Sequence, residues 1–326
     1  MAIFKAKPKP DLRLLFVTDV HGSSVCFRKF INGAKAYEAQ VLILGGDVAG
    51  KRLAPIVSTG NGHSEGTLGH KTIEMETERE LKEFETAAAD AGLYTYRASA
   101  EEVDAISSDS EALERLMERL AGERLAEWLE LAGERLAGTG ARLFVNCGND
   151  DPFSLDRIVE ESSAATFLEG RVVPIDETRF VASLGFANQT PWECPRDVPE
   201  SELASRMETM LDGWSEDRGL LIFNCHCPPY DSGLDTAQQL NPDLSIVTEG
   251  GQPVAGPVGS TAVRSAIEKY HPVLSLHGHI HESKAATKIG PTLAINPGSE
   301  YPDGLLRGAV IDLGPTGVCS YVLTSG

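Results

Sequence analysis

The chain has 326 residues, 41% of them hydrophobic and 24% charged, a composition that buries a sizeable core without disulfides or structural zinc and a length that suits one large domain with an insertion. Its formal net charge of −19 repels phosphate backbones and anionic lipid surfaces, which argues against large nucleic acids as substrates. The six cysteines form no CxxC pair, so reduced thiols are expected rather than a disulfide framework or a zinc ribbon.

From the N-terminus, the basic stretch MAIFKAKPKPDL runs into strand-like LRLLFVTD without an apolar signal core. No apolar run approaches the roughly 20 residues that span a bilayer. A cytoplasmic protein without membrane contact is therefore expected. Residues 12–18 form a buried strand ending in Thr18-Asp19, and 41–44 form another ending in Gly45-Gly46-Asp47. Between them, 23–38 opens on Ser23-Ser24 and carries Val25, Phe27, Phe30, Ile31 and Ala34 at helical spacing. The opening is a βαβ unit.

The pattern changes after residue 50. A glycine-rich turn region at 58–69 precedes predicted helices at 71–92 and 111–138, and together these define a helical, acidic insertion over 58–140. Within 71–140 there are 18 acidic and 8 basic residues, so about half of the net charge lies there. The second helix contains AGERLA at both 121–126 and 132–137, an 11-residue spacing that returns to nearly the same face. It reads as an amphipathic hairpin packed on the main domain, with a lid or a homo-oligomer contact as the alternative.

Beyond the insertion, a strand at 142–146 ends in Cys147-Gly148-Asn149-Asp150. Another, at 219–224, runs into Cys225-His226-Cys227-Pro228-Pro229. A third, at 272–276, runs into His277-Gly278-His279-Ile280-His281. After 282 the short β-rich segments predict antiparallel strands in a second sheet packed on the first. Five strands thus end in residues that bind cations, and active sites of α/β proteins collect at the carboxyl ends of strands. One shared site is expected.

Asp19 and His21, two residues apart at a strand exit, can turn toward one cation. Asp47 adds a carboxylate, and Asn149 adds a neutral amide oxygen beside Asp150 and Asp151. His226 leaves a buried strand. Three imidazoles within five residues at 277–281 are costly to bury without a cation or an acid. Two carboxylates, one amide and four imidazoles without thiolate suit Mn, Fe, Zn, Co or Ni, and seven ligands suit two ions better than one. Two cations close together can polarise a bound oxygen and lower the pKa of a bridging water toward about 7. Ser260 after Gly256-Pro257-Val258-Gly259 opens a helix, either as an ordinary N-cap or as an anion site, with Arg264 one turn on.

The order DxH, GD, GN, H, GHxH, each after a strand over residues 14–299, resembles the calcineurin-like metallophosphoesterase superfamily. Asn188-Gln189-Thr190-Pro191-Trp192, HCPPY with Leu234-Asp235, VGSTAVR and GHIHES resemble its branch of Icc-related predicted phosphoesterases. The resemblance implies a four-layer α/β/β/α sandwich of two mixed sheets flanked by helices, in a single domain over 1–326. It also implies that Asp19, His21 and His281 hold one divalent ion, that Asn149, His226 and His279 hold the other, and that Asp47 bridges them. His277 has no ligand role in that pattern and is expected to make a supporting hydrogen bond. The implied activity is hydrolysis of a small phosphoester, phosphodiesters above all, with Asn149 and His226 assisting. Where many members carry a histidine that contacts phosphate and helps protonate the leaving group, this chain has Asp150, which can donate a proton only when protonated. Two other classes stay open: a weakened metal-binding scaffold that keeps the fold, and a single-metal hydrolase of another bond.

Overall fold

The computed structural model describes residues 10–60, 62–241 and 243–326, so most of the basic N-terminal stretch lies outside the described residues. In chain order, β1 (Leu12–Val17), α1 (Ser24–Ala36) and β2 (Val41–Leu44) form the opening unit. The hydroxyl of Ser23 accepts the Cys26 N–H and caps α1. Then come β3 (Arg52–Gly60), β4 (His63–Leu68), β5 (Lys71–Met75), α2 (Glu78–Asp90), β6 (Leu93–Ala98), α3 (Ala100–Ser108) and α4 (Ser110–Leu136). Next are β7 (Arg142–Val145), α5 (Ser154–Glu161), β8 (Ala165–Phe167), β9 (Arg179–Leu184) and α6 (Glu200–Met210). The chain closes with β10 (Leu220–Cys225), α7 (Thr261–Tyr270), β11 (Leu274–Leu276), β12 (Ala285–Ile289), β13 (Thr292–Asn296), β14 (Arg307–Gly314) and β15 (Gly317–Ser325).

The first sheet has the order β15-β14-β1-β2-β7-β8, parallel from β1 to β8 and antiparallel at β14 and β15. The second has the order β9-β10-β11-β13-β12, with β12 the antiparallel strand. Strand periodicity sets the layers, because alternate side chains leave opposite faces. Leu14, Phe16, Ile43 and Phe144 of the first sheet pack between the sheets against Ile222, Leu274 and Ile295 of the second. Leu15, Val17, Leu42 and Val145 face outward, where α1, α4 and α5 cover them. On the far side, Leu184, Leu221 and Phe223 lie under α6 and α7. The architecture is the four-layer α/β/β/α sandwich of two mixed sheets. Among the described residues, no helix is long and apolar enough to cross a membrane.

Three elements differ from the sequence reading. The 58–140 segment is not helical at its start, because β3 to β6 form a sheet of order β5-β4-β3-β6 with α2 packed on it. Helix cannot begin at 71, since the capping box of Thr77 and Glu80 starts α2 at Glu78, and Lys71–Met75 pairs with β4 instead. Second, α4 is the crossover helix between parallel β2 and β7. Its buried face, Leu125, Trp128, Leu129, Ala132 and Leu136, covers the first sheet. Third, the strands after 282 divide, with β12 and β13 completing the second sheet while β14 and β15 extend the first. Their alternation marks a buried face and says nothing about which sheet receives it.

Candidate metal centre

Asp19 and His21 follow β1, Asp47 follows β2, Asn149 follows β7, His226 follows β10, and His279 and His281 follow β11. The two sheets deliver these residues to one end of the sandwich. Asp19, His21, Asp47 and His279 have φ of 54°, 39°, 48° and 68°, a left-handed backbone that side chains with a Cβ generally avoid. Ladder-like hydrogen bonds hold it, from Asp19 N–H to Gly46 O at 2.9 Å and from His21 N–H to Asp47 O at 3.0 Å. Strain of this kind persists where the surroundings over-determine it, and it collects at functional sites. Glycine is required beside two of these residues. A Cβ on Gly148 would collide with Asp47, and one on Gly278 would collide with the Asp19 carboxylate.

Asp47 lies between two groups of donors. Its Oδ2 is 3.5 Å from His21 Nε2 and its Oδ1 is 3.2 Å from His226 Nε2. On one side, His21 Nε2 is 3.0 Å from His281 Nε2, which is itself 3.3 Å from Asp19 Oδ1. Donor atoms of Asp19, His21, Asp47 and His281 all lie within 4.8 Å of one another. On the other side, His279 Nδ1 is 2.9 Å from Asn149 Oδ1. The amide is oriented by Asp197, whose Oδ1 accepts from Asn149 Nδ2 at 2.9 Å. The His226 and His279 rings stand 5.4 Å apart.

The residues present fit a divalent cation. His226 is fully buried, and neither ring nitrogen makes an aligned hydrogen bond, Nε2 having only the Asp47 carboxylate at 3.2 Å, an expensive state for a polar group in a dry interior. His21 and His281 turn Nε2 atoms toward each other, and two neutral imidazoles can share only one proton. A cation would give the His226 ring a partner, and the nitrogen and oxygen donor set without thiolate is that of borderline divalent metals. Burial pushes the imidazoles of His21 and His279 down to about 4, leaving lone pairs free at neutral pH. Burial would also lower His226, but the charges of Asp47 and Asp19 outweigh it and raise the imidazole to about 9. Asp47 is held well below the carboxylate range in spite of burial, chiefly by His226. The Asp47 and Asp19 carboxylates thus favour the charged form of the His226 ring that lies between them.

No family model matches this chain. An uncharacterised protein of Methanocaldococcus jannaschii is 28% identical over 168 residues, covering 50% of this chain and 68% of that protein. One solved structure superposes with a TM-score of 0.56 at 15% identity, over 97% of this chain and 99% of its own. A Thermus thermophilus protein superposes with a TM-score of 0.53 at 12% identity, over 97% and 98% of the two chains. At these identities the likeness establishes the fold along the whole chain. Chemistry has to come from the site.

Other residues named from the sequence have plain structural partners. His277 bonds Ser275 Oγ at 2.8 Å and the carbonyls of Cys225 and Cys227 at 2.8 and 3.1 Å, steadying the chain on both sides of His226. Ser260 is an ordinary N-cap, accepting from Val263 N–H at 3.1 Å. Glu200 occupies the remaining α7 amides, and Arg264 bonds the carbonyls of Tyr230 and Asp231. The Asp150 N–H donates to Asp47 Oδ1 at 3.1 Å, while its carboxylate pairs with Lys51 and accepts from Cys194 Sγ at 3.1 Å. Lys51, Asp197 and Trp192 were missed as functional candidates. Lys51 had a readable signal, four residues after Asp47 in the same strand-exit loop.

Proposed function

We propose that this chain hydrolyses phosphoester bonds, phosphodiesters before monoesters, at a pair of divalent cations, with manganese as the favoured ion. The observation that carries the reading is Asp47, whose two oxygens face two separate sets of donors at 3.5 and 3.2 Å. Asp19, His21 and His281 would hold one cation, Asn149, His226 and His279 the other, and Asp47 both. Bound cations supply Lewis-acid polarisation of a phosphoryl oxygen and a water of lowered pKa. The chain's own part is placement. Asp197 keeps the Asn149 oxygen turned inward, and the Asp150 N–H fixes one Asp47 oxygen. Lys51 sets a positive charge beside Asp150, the residue the sequence reading made catalytic. A small soluble phosphoester in the cytoplasm is the substrate class this reading entails.

The test is hydrolysis of bis-p-nitrophenyl phosphate by the full chain with manganese, alongside elemental analysis. Asp47→Ala and His279→Ala are each expected to lose at least about 100-fold in rate, because each removes a ligand from a shared centre. Unchanged rates in both variants would remove the proposal. A parent that binds two ions and hydrolyses nothing would instead be the scaffold of the alternative reading.

A further inference from the structure

The centre opens into a pocket of 380 Å³ whose lining divides by chemistry: Trp192, Ala237 and Ile280 are apolar, Lys51 is cationic, and Asp150 and Glu282 are anionic. The volume suits one ring system with a phosphate attached. Trp192 is 63% exposed, an unusual position for the largest apolar side chain unless something covers it. Its loop is anchored rather than loose. Asp197, the carboxylate that orients Asn149, also accepts from Thr190 N–H at 3.1 Å, Thr190 Oγ1 at 2.5 Å and Cys194 N–H at 3.1 Å. Thr190 Oγ1 in turn accepts the Trp192 N–H at 3.3 Å. One carboxylate therefore ties the indole-bearing turn to the donor set of the centre. Lys51 is held on the other flank by Asp150, with its side chain still 46% exposed.

We propose that this pocket recognises phosphate esters whose organic group is a flat aromatic ring, the ring stacked on the Trp192 indole and a phosphate oxygen facing Lys51. Stacking on an exposed aromatic is tolerant of ring identity, because every planar ring has a π-face. A compact ammonium reads charge and leaves the ring unread. Glu282 repels anions in the pocket and Asp150 already pairs with Lys51, so the phosphate takes the remaining donors of that ammonium on the side of the cations. The inference rests on the hydrolytic reading for the orientation of the phosphate, while the ring selectivity stands on Trp192 alone.

The test measures binding by calorimetry on the manganese-loaded full chain, using adenosine 5′-monophosphate, phenyl phosphate, ribose 5-phosphate and inorganic phosphate. Both ring-bearing esters are expected to bind at least tenfold tighter than ribose 5-phosphate. Equal tightening by the two marks a general ring site, and tightening by the nucleotide alone narrows it to nucleobases. In Trp192→Leu that ratio is expected to fall to near one, and saturable quenching of tryptophan fluorescence by the nucleotide to disappear. Lys51→Met is expected to weaken all four ligands together, by about tenfold, and to leave the ratio intact. Equal affinities for ring-bearing and ring-free esters in the parent, or a ratio that survives Trp192→Leu, overturn the inference. If bis-p-nitrophenyl phosphate is still hydrolysed in that case, the hydrolytic reading stands. Ring selectivity in a chain that hydrolyses nothing would leave this inference and remove the other.

Discussion

Asp151 shows how much of the centre depends on a residue that touches no ligand donor. Its carboxylate is fully buried and accepts Val48 N–H at 2.9 Å, Ala49 N–H at 2.7 Å and Gly148 N–H at 2.7 Å. It thereby stitches the loop that carries Asp47 to the loop that carries Asn149. Burial first, and the Asp47 charge second, push the carboxyl up to about 6. Asp151→Ala would strand three buried donors, and we expect it to cost about 3 kcal/mol or more of folding stability. Manganese affinity is expected to fall about 10–100-fold through the displaced ligands. Urea denaturation and metal titration read the two effects separately, and a variant with parental values in both would show that the loops hold themselves. Asp151 was visible beside Asn149 in the sequence. Two of its partners, Val48 and Ala49, were not, because they arrive from a loop about a hundred residues away.

Secondary structure was legible wherever a local signal decided it and misread wherever a partner did. The apolar runs of β1, β2, β7, β10 and β11 declare buried strands, and Ser23 declares the start of α1. The 11-residue repeat of α4 does return to one face, since Leu125 and Leu136, one from each copy, are both buried. What that face packs on was not written in the repeat. Trp128 stacks on Phe27 of α1 with ring centroids 4.4 Å apart and planes 9° from parallel, making α4 a layer of the sandwich. Trp128→Ala should accordingly cost about 3–5 kcal/mol, measured from the shift in denaturation midpoint. A loss under about 1 kcal/mol would return α4 to the status of an appendage. The hairpin of β4 and β5 was hidden for a related reason: Lys71–Met75 is short and mixed in character, and it becomes a strand because β4 pairs with it.

At the scale of the molecule, two sheets meeting face to face bring five strand ends from separate stretches of chain to one place, where Asp19 and Asp47 are buried among imidazoles. The proposed cations would balance their charge. Binding only to the folded state, manganese at 100 times its Kd should stabilise the chain by about 2.7 kcal/mol. Differential scanning fluorimetry should show a higher Tm that a chelator reverses and that Asp47→Ala largely abolishes. A Tm indifferent to metal in the parent would deny the folded chain a metal site. The sequence by itself determined the five strands that lead into the centre, their order along the chain and the residue types at their ends, because burial and strand exit leave local marks: apolar runs, then polar residues, often beside glycine. Only the tertiary structure decided which sheet takes each strand, that Asp197 orients Asn149, and that Lys51 and Trp192 border the centre. Those are contacts between distant segments, and no local pattern of residues encodes who the neighbour will be.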